Sequence, residues 1–288
     1  MTRQQHGMAL GLIGILIFSG SLPATRAAVA GFEPIFLTAA RALLATLAAI
    51  VLLLAGERQR LTWPKVRSLC LVATCVVLAF PLFSALALTH MPSARAILFT
   101  GLLPIATAGG AILRGGERPR LPFWLFAVAG AAVVGSFALL NGAAAGGDHS
   151  GDWLMLAAIL LCGLGYAEGA ALARDLGGVQ VICWALVLSS PAMLLVALWL
   201  WPATLSGIAP SAWIGLGYVS LFSMLIGFVF WYRGLALGGT TKVGQLQLLQ
   251  PLAGFTLSAL LLREAIGWPT LLAALAILPC VAGARRFA

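Results

Sequence analysis

Thr100, Gln247 and Gln250 each stand within four residues of a proline inside a long apolar run, and this is where chemistry is expected. Proline has no amide hydrogen, so in a helix Pro104 leaves the carbonyl of Thr100 without its usual donor, and Pro251 does the same for Gln247. An acceptor then lies beside a hydroxyl in one case and beside a carboxamide in the other, a set suited to the ammonium and carboxylate of a zwitterion. At 4-3-4 spacing Thr100, Pro104, Thr107 and Ala111 share one helical face, as do Gln247, Pro251, Gly254 and Ser258. Gln250 lies near the Gln247 face, whereas Gln245 projects to nearly the opposite side. For any one of these residues the competing reading is a simple kink, with the polar group bonded to a neighbouring helix.

Pro23 and Pro81 free the carbonyls of Ser19 and Val77, close to Ser21 and Ser84, and offer further bending points. Tyr166, Trp184 and Trp231 lie far enough inside apolar runs, or near enough to a neck, to line a pathway, although core packing is the commoner role for such rings. Two ionisable groups are embedded, Arg41 and Glu168, and a charge inside a span is costly enough to carry functional weight. By residue count Arg41 lies about 12 Å and Glu168 about 22 Å from the same surface, too far apart to pair. Arg233 is therefore the expected partner of Glu168, either in a static pair that fixes helix positions or as part of a gate or protonatable coupling site. Arg26 and Glu33, which bracket a short turn, are expected to pair at the surface.

Enzymatic chemistry has little to build on. The five cysteines, Cys70, Cys75, Cys162, Cys183 and Cys280, fall inside apolar stretches with no Cys-x-x-Cys spacing, and the three histidines are scattered. No His-Glu-x-x-His or Gly-x-Ser-x-Gly pattern occurs, and an intramembrane enzyme would need a nucleophile and base that the sequence does not bring together. No cofactor and no metal site is expected.

The elements that must hold these residues are membrane spans. Hydrophobic residues make up 61% and charged ones 9% of the 288, against roughly 25% charged in a soluble domain. Ten candidate spans can be read, at 7–29, 33–55, 66–88, 94–113, 123–141, 153–173, 181–201, 212–237, 241–262 and 268–284, with short loops between. A cleaved leader is the alternative for the first, since Arg3 precedes an apolar run, but its loss would break the count. The net charge of +9 is spread in small clusters between spans, a topology signal that argues against a nucleic-acid partner. With the N-terminus cytoplasmic, twelve of the seventeen basic residues fall inside (Arg3, Arg58, Arg60, Lys65, Arg67, Arg114, Arg118, Arg120, Arg174, Lys242, Arg285 and Arg286) and only Arg26, Arg95 and Arg263 outside. Both termini are accordingly placed in the cytoplasm.

The second half repeats the first at an offset of 147 positions, which superimposes Arg95 on Lys242, Pro104 on Pro251, Glu117 on Glu264 and Pro122 on Pro269. Five spans per half make the repeats inverted, with halves at 1–141 and 153–288 joined by an extracytoplasmic linker at 142–152. Two related halves can rock about a site at mid-membrane and open it to each side in turn. The fold class is thus an all-α membrane protein of ten transmembrane helices in two inverted five-helix repeats.

Several segments carry a family resemblance: Pro34 to Arg41 in span 2, SARAILFTGLLP ending at Pro104, TTKVGQLQLLQP ending at Pro251, the glutamates Glu117 and Glu264 that follow, and AEGAALARDL through Arg174. In their order and twofold recurrence they resemble the EamA family of the drug/metabolite transporter superfamily. The resemblance implies export of small metabolites, and the overall pattern is similar to amino-acid exporters of the YddG type, which handle aromatic and other neutral amino acids. Span 1 departs from the family's tryptophan-glycine pattern and reads FSGSLPATR. The expected function is export of neutral, hydrophobic amino acids across the inner membrane by alternating access, through a cavity lined by spans 1, 3, 4, 6, 8 and 9. A drug or nucleoside exporter is the alternative. The expected partners are the small-molecule substrate and the lipid bilayer, with no obligate protein partner.

Overall fold

The structure, a computed structural model, describes residues 2–56, 61–114, 120–144, 149–264 and 267–287. Among the described residues every regular element is helical. Helix α1 (Arg3–Ser19) opens on a capping box in which the Thr2 hydroxyl accepts from Gln5 N–H and the Gln5 side chain accepts from Thr2 N–H. It breaks at Gly20 and resumes as α2 (Ser21–Val29). Helix α3 (Pro34–Ala55) is capped by Glu33, whose carboxylate accepts from Phe36 N–H at 2.7 Å. Arg26 instead donates to the carbonyl of Leu88, so the expected Arg26–Glu33 pair gives way to a helix cap and a carbonyl tie.

Helix α4 (Trp63–Val72) widens into a π segment (Ala73–Ala79) and continues as α5 (Phe80–His90). Helices α6 (Ser93–Thr100) and α7 (Leu103–Leu113) meet at a 42° bend. After α8 (Leu121–Ala144), α9 (Ser150–Leu176) and α10 (Gly178–Trp199) are joined by Gly177 alone, at φ +81°, a left-handed conformation open to glycine. Helix α11 (Pro210–Gly217) passes through a second π segment (Tyr218–Ile226) into α12 (Gly227–Gly238). Helix α13 (Thr240–Gly244), a 3-10 turn (Gln245–Leu248) and α14 (Leu249–Leu262) follow, then α15 (Trp268–Arg286).

The prolines singled out in the sequence sit just after these interruptions. Pro23 follows the break at Gly20, Pro81 the first π segment, Pro104 the α6–α7 bend and Pro251 the 3-10 turn. In the first turn of a helix a missing N–H leaves no bond unmade, which is why the chain can both break and restart there. The interruptions also obey the repeat. Shifted by 147 positions, Ala73–Ala79 falls on 220–226 within the second π segment, and the α6–α7 bend falls where the 3-10 turn meets α14.

Among the described residues six helical runs are long and apolar enough to cross a bilayer (Arg3–Val29, Pro34–Ala55, Trp63–His90, Ser150–Leu176, Gly178–Trp199 and Pro210–Gly238), and α6 with α7 makes a seventh as a bent pair. Leu121–Val133, Leu249–Leu262 and Trp268–Cys280 are shorter apolar helices. Their outer faces expose leucine and valine, as Leu47, Val51 and Leu54 do on α3, which suits lipid as solvent.

Helices α1 and α12 approach backbone to backbone. A Cβ on Gly7 would lie 2.5 Å from the Gly238 nitrogen, and one on Gly234 would lie 2.7 Å from the Gly11 nitrogen. Small residues at such crossings let two helices pack closely where lipid gives no hydrophobic drive. Gly7→Val is expected to lower stability by about 1–3 kcal/mol through overpacking. Gly109→Ala, which meets nothing within 4 Å, should leave the thermal midpoint unchanged or raise it. Equal midpoints for wild type and Gly7→Val would contradict the contact.

Candidate functional site

Helices α6 and α14 cross antiparallel. Ser93 and Ser258 hydroxyls meet at 2.6 Å, and a Cβ on Gly254 would touch the Ile97 side chain at 3.2 Å. Gly254 and Ser258, half of the second stripe, are therefore packed against α6. Nearer the breaks the picture changes. Gln247 is 0% exposed and neither amide atom has a hydrogen-bond partner. Gln250 Oε1, Thr107 Oγ1 and Trp231 Nε1 are also buried without a partner. Each buried polar atom left unmatched costs about 1–3 kcal/mol, so several of them call for an explanation. Thr100, by contrast, turns its hydroxyl back to the Ile97 carbonyl at 2.6 Å, Ser19 bonds Ile15 O at 2.8 Å and Ser84 bonds Pro81 O at 3.1 Å.

Of the unmatched groups, Trp231 belongs to an aromatic cluster drawn from α1, α9 and α12. Ring centroids lie 4.8 Å apart for Phe18 and Phe228, 5.5 Å for Tyr166 and Trp231, and 5.8 Å for Tyr166 and Phe228. The α13 end joins it through Val243 and Leu246, which reach Gly11 of α1 next to Trp231. The segment that carries Gln247 thus packs close to Trp231, whose unmatched indole N–H lies among the rings, and apolar faces with a few polar groups are the usual make-up of a small-molecule site.

Arg41 is buried and donates from Nη2 to the carbonyl of Val219 (3.2 Å) and to Ser223 Oγ (3.3 Å). Ser223 in turn meets Ser21 Oγ at 2.7 Å. The second π segment thus supplies both a carbonyl and a hydroxyl to hold the charge, in keeping with the habit of π-bulges at functional positions. Glu168 pairs with Arg114, Nε to Oε2 at 2.6 Å, with side-chain exposures of 45% for the arginine and 4% for the carboxylate. This corrects the expected Arg233 partner. Counting depth along a span ignores which way a helix face points, and Arg114, at the end of α7, faces α9. Arg233 is exposed and opens onto a different cleft. The Glu168–Arg114 pair closes one wall of a cleft of about 510 Å³ that also includes Pro64, Arg67, Ser68 and Leu71 of α4.

At the opposite ends of these helices Glu264 ties α14 to α6. Its Oε2 accepts from Ser93 Oγ (2.7 Å), Ser258 Oγ (2.7 Å) and Ala94 N–H (3.0 Å), and its Oε1 accepts from Ser93 N–H (3.1 Å). Burial pushes this carboxyl up, but the hydrogen bonds from Ser258, Ser93 and Ala94 together outweigh it and hold the group below its ordinary range. A lowered folded-state value means that the stabilisation is whole above the ordinary carboxylate range and is lost as pH falls through it. Glu264→Gln, which keeps one acceptor and turns an amide toward the Ser93 and Ala94 N–H groups, is expected to cost about 1–2 kcal/mol at neutral pH and nothing in acid. Thermal unfolding of both proteins across the acid range checks this. Next to this latch Arg95 pairs with Asp152, which also meets His149 Nδ1 at 3.2 Å.

The EamA-like transporter family model matches residues 5–140 and again residues 149–284. The chain belongs to that family. Along its full length it is 54% identical to a Bacillus subtilis (strain 168) protein, also matched over 100% of its length and named uncharacterized transporter YdeK. It is 25% identical to a probable terminal-alkyne amino-acid exporter of Streptantibioticus cattleyicolor, over 84% of this chain and 81% of that one. A crystal structure of a protein 21% identical superposes with a TM-score of 0.70, covering 98% of this chain and 96% of the other, and shares the fold.

In this EamA-like chain, sequence reasoning missed Arg114, Ser223 and the roles of Ser93 and Asp152. By sequence Arg114 belongs to a basic cluster with Arg118 and Arg120, and nothing in the chain separates it from them. Glu264 had a signal, since the repeat matches it to Glu117, which lies outside the described residues.

Proposed function

We propose that this EamA-like transporter crosses the inner membrane ten times, as two inverted repeats at 1–141 and 153–288 with 142–152 outside and both termini in the cytoplasm, and exports neutral amino acids by alternating access. The observation that carries the substrate reading is the set of buried, unmatched polar groups on Gln247, Gln250, Thr107 and Trp231, with Trp231 packed among the Phe18, Tyr166 and Phe228 rings. A zwitterion offers three ammonium donors and two carboxylate acceptors to the polar set, and an apolar side chain to the rings. The amino-acid export named for the Streptantibioticus cattleyicolor relative supports the same class.

The breaks beside Pro23, Pro81, Pro104 and Pro251 serve as bending points for the rocking halves. The Arg114–Glu168 pair acts as a gate on the side carrying Arg3, Lys65 and Arg67, and Arg41 with Ser21 and Ser223 braces the other side. If Glu168 couples protons, Glu168→Gln keeps exchange and loses its response to a pH gradient.

Counterflow into proteoliposomes tests the reading, with tritiated phenylalanine, leucine and adenosine as tracers. Accumulation of the amino acids in vesicles preloaded with the unlabelled compound, with adenosine excluded, is the expected result. Accumulation of adenosine alone would assign the site to nucleosides.

A further inference from the structure

We infer that the cleft of about 560 Å³ where the start of α1, the α9–α10 junction and the end of α12 meet is a binding site for a phosphate group, supplied by the headgroup of an anionic phospholipid or by a free phosphate. Arg3, Arg174 and Arg233 line it, and no carboxylate does. Among the described residues none of the three arginines makes an ion pair or donates a hydrogen bond. The neighbouring cleft shows the contrast, since there Glu168 neutralises Arg114. Three like charges from three separate parts of the chain repel one another unless an anion joins them, and arginine's fork of donors matches phosphate oxygens.

The rest of the lining agrees. Helix α10 begins at this cleft, its N-cap Gly177 makes no side-chain bond, and its first turn carries no acidic residue, so the unpaired N–H groups at Gly178 and Val179 and the positive end of a 22-residue helix add to the field. Leu176, Val179 and Leu237 make the remaining wall apolar, as needed for the glycerol and first methylenes beside a headgroup. Basic pockets between transmembrane helices at the cytoplasmic side take such lipids, at about fivefold in affinity for each arginine. Neither Gln247 nor Thr107 lines this cleft, whose role does not depend on what the chain transports.

The test uses the full chain in neutral detergent, with phosphatidylglycerol and phosphatidylcholine as probes in native mass spectrometry and inorganic phosphate as the soluble probe in thermal unfolding. Wild type is expected to retain phosphatidylglycerol over phosphatidylcholine, and Arg174→Gln/Arg233→Gln to bind it about thirtyfold more weakly. Arg174→Lys/Arg233→Lys should keep most of the preference, which separates lost charge from lost folding. A midpoint raised by inorganic phosphate in wild type and not in the glutamine variant identifies free phosphate as an occupant, whereas a lipid response alone assigns the site to the headgroup. Equal phosphatidylglycerol retention by wild type and the glutamine variant, with no phosphate effect on either, would overturn the proposal.

Discussion

Gln247→Leu is expected to raise the thermal midpoint of the ligand-free protein while removing most of its transport. Both effects come from one feature, a carboxamide 0% exposed whose two polar atoms find no partner. Leucine has nearly the same volume and no polar atom to strand, so the folded state is relieved of a penalty of about 1–3 kcal/mol. The substrate loses a donor and an acceptor at once, about 1–3 kcal/mol of binding, or roughly a 5- to 150-fold weaker site. Gln250→Leu should move the same way by less, since only its Oε1 is both fully buried and unmatched. A residue kept for packing would show the opposite pattern, lower stability with transport intact. Differential scanning fluorimetry and counterflow on the same preparations read both quantities.

Arg114→Ala is expected to be the most destabilising single change at a charged position. It strands the Glu168 carboxylate, 4% exposed, which loses its 2.6 Å partner. Breaking a fully buried pair costs about 3–5 kcal/mol, and because Arg114 is 45% exposed a loss of about 2–3 kcal/mol is expected here. The double variant Arg114→Ala/Glu168→Gln should recover much of that, with a coupling of about 1–3 kcal/mol in a double-mutant cycle. Arg233→Ala serves as the comparison, because it opens onto another cleft and should show no coupling to Glu168. Coupling of Glu168 to Arg233 in place of Arg114 would contradict the geometry.

What the sequence disclosed and what it hid follow from the physics of each signal. Apolar runs and prolines are local, so apolar helices and bending points at Pro23, Pro81, Pro104 and Pro251 could be read from the chain, although the first break itself falls at Gly20. The glutamines stood out because an amide in hydrocarbon is costly wherever it points. The Glu168 partner could not be read, because pairing depends on which face of a helix turns toward which neighbour, and depth along a span says nothing of that. Glu33 carried an overlooked cue: an acid directly before Pro34 at the start of an apolar run is the mark of a helix N-cap, and that is the role it takes. The π segments have no residue signature of their own. Their only trace is positional, the same interruption recurring 147 residues later.

Equilibrium binding of tritiated phenylalanine and leucine to the purified protein, by scintillation proximity with wild type and Gln247→Leu side by side, tests the proposed substrate site most directly. The expected result is one saturable site per chain in wild type, competed by unlabelled neutral amino acids, with affinity reduced 5- to 150-fold in the variant, the range set by about 1–3 kcal/mol. Saturable binding of equal affinity in both proteins would place the substrate elsewhere, and no saturable binding of either amino acid to wild type would contradict the assignment of the site to this class of molecule.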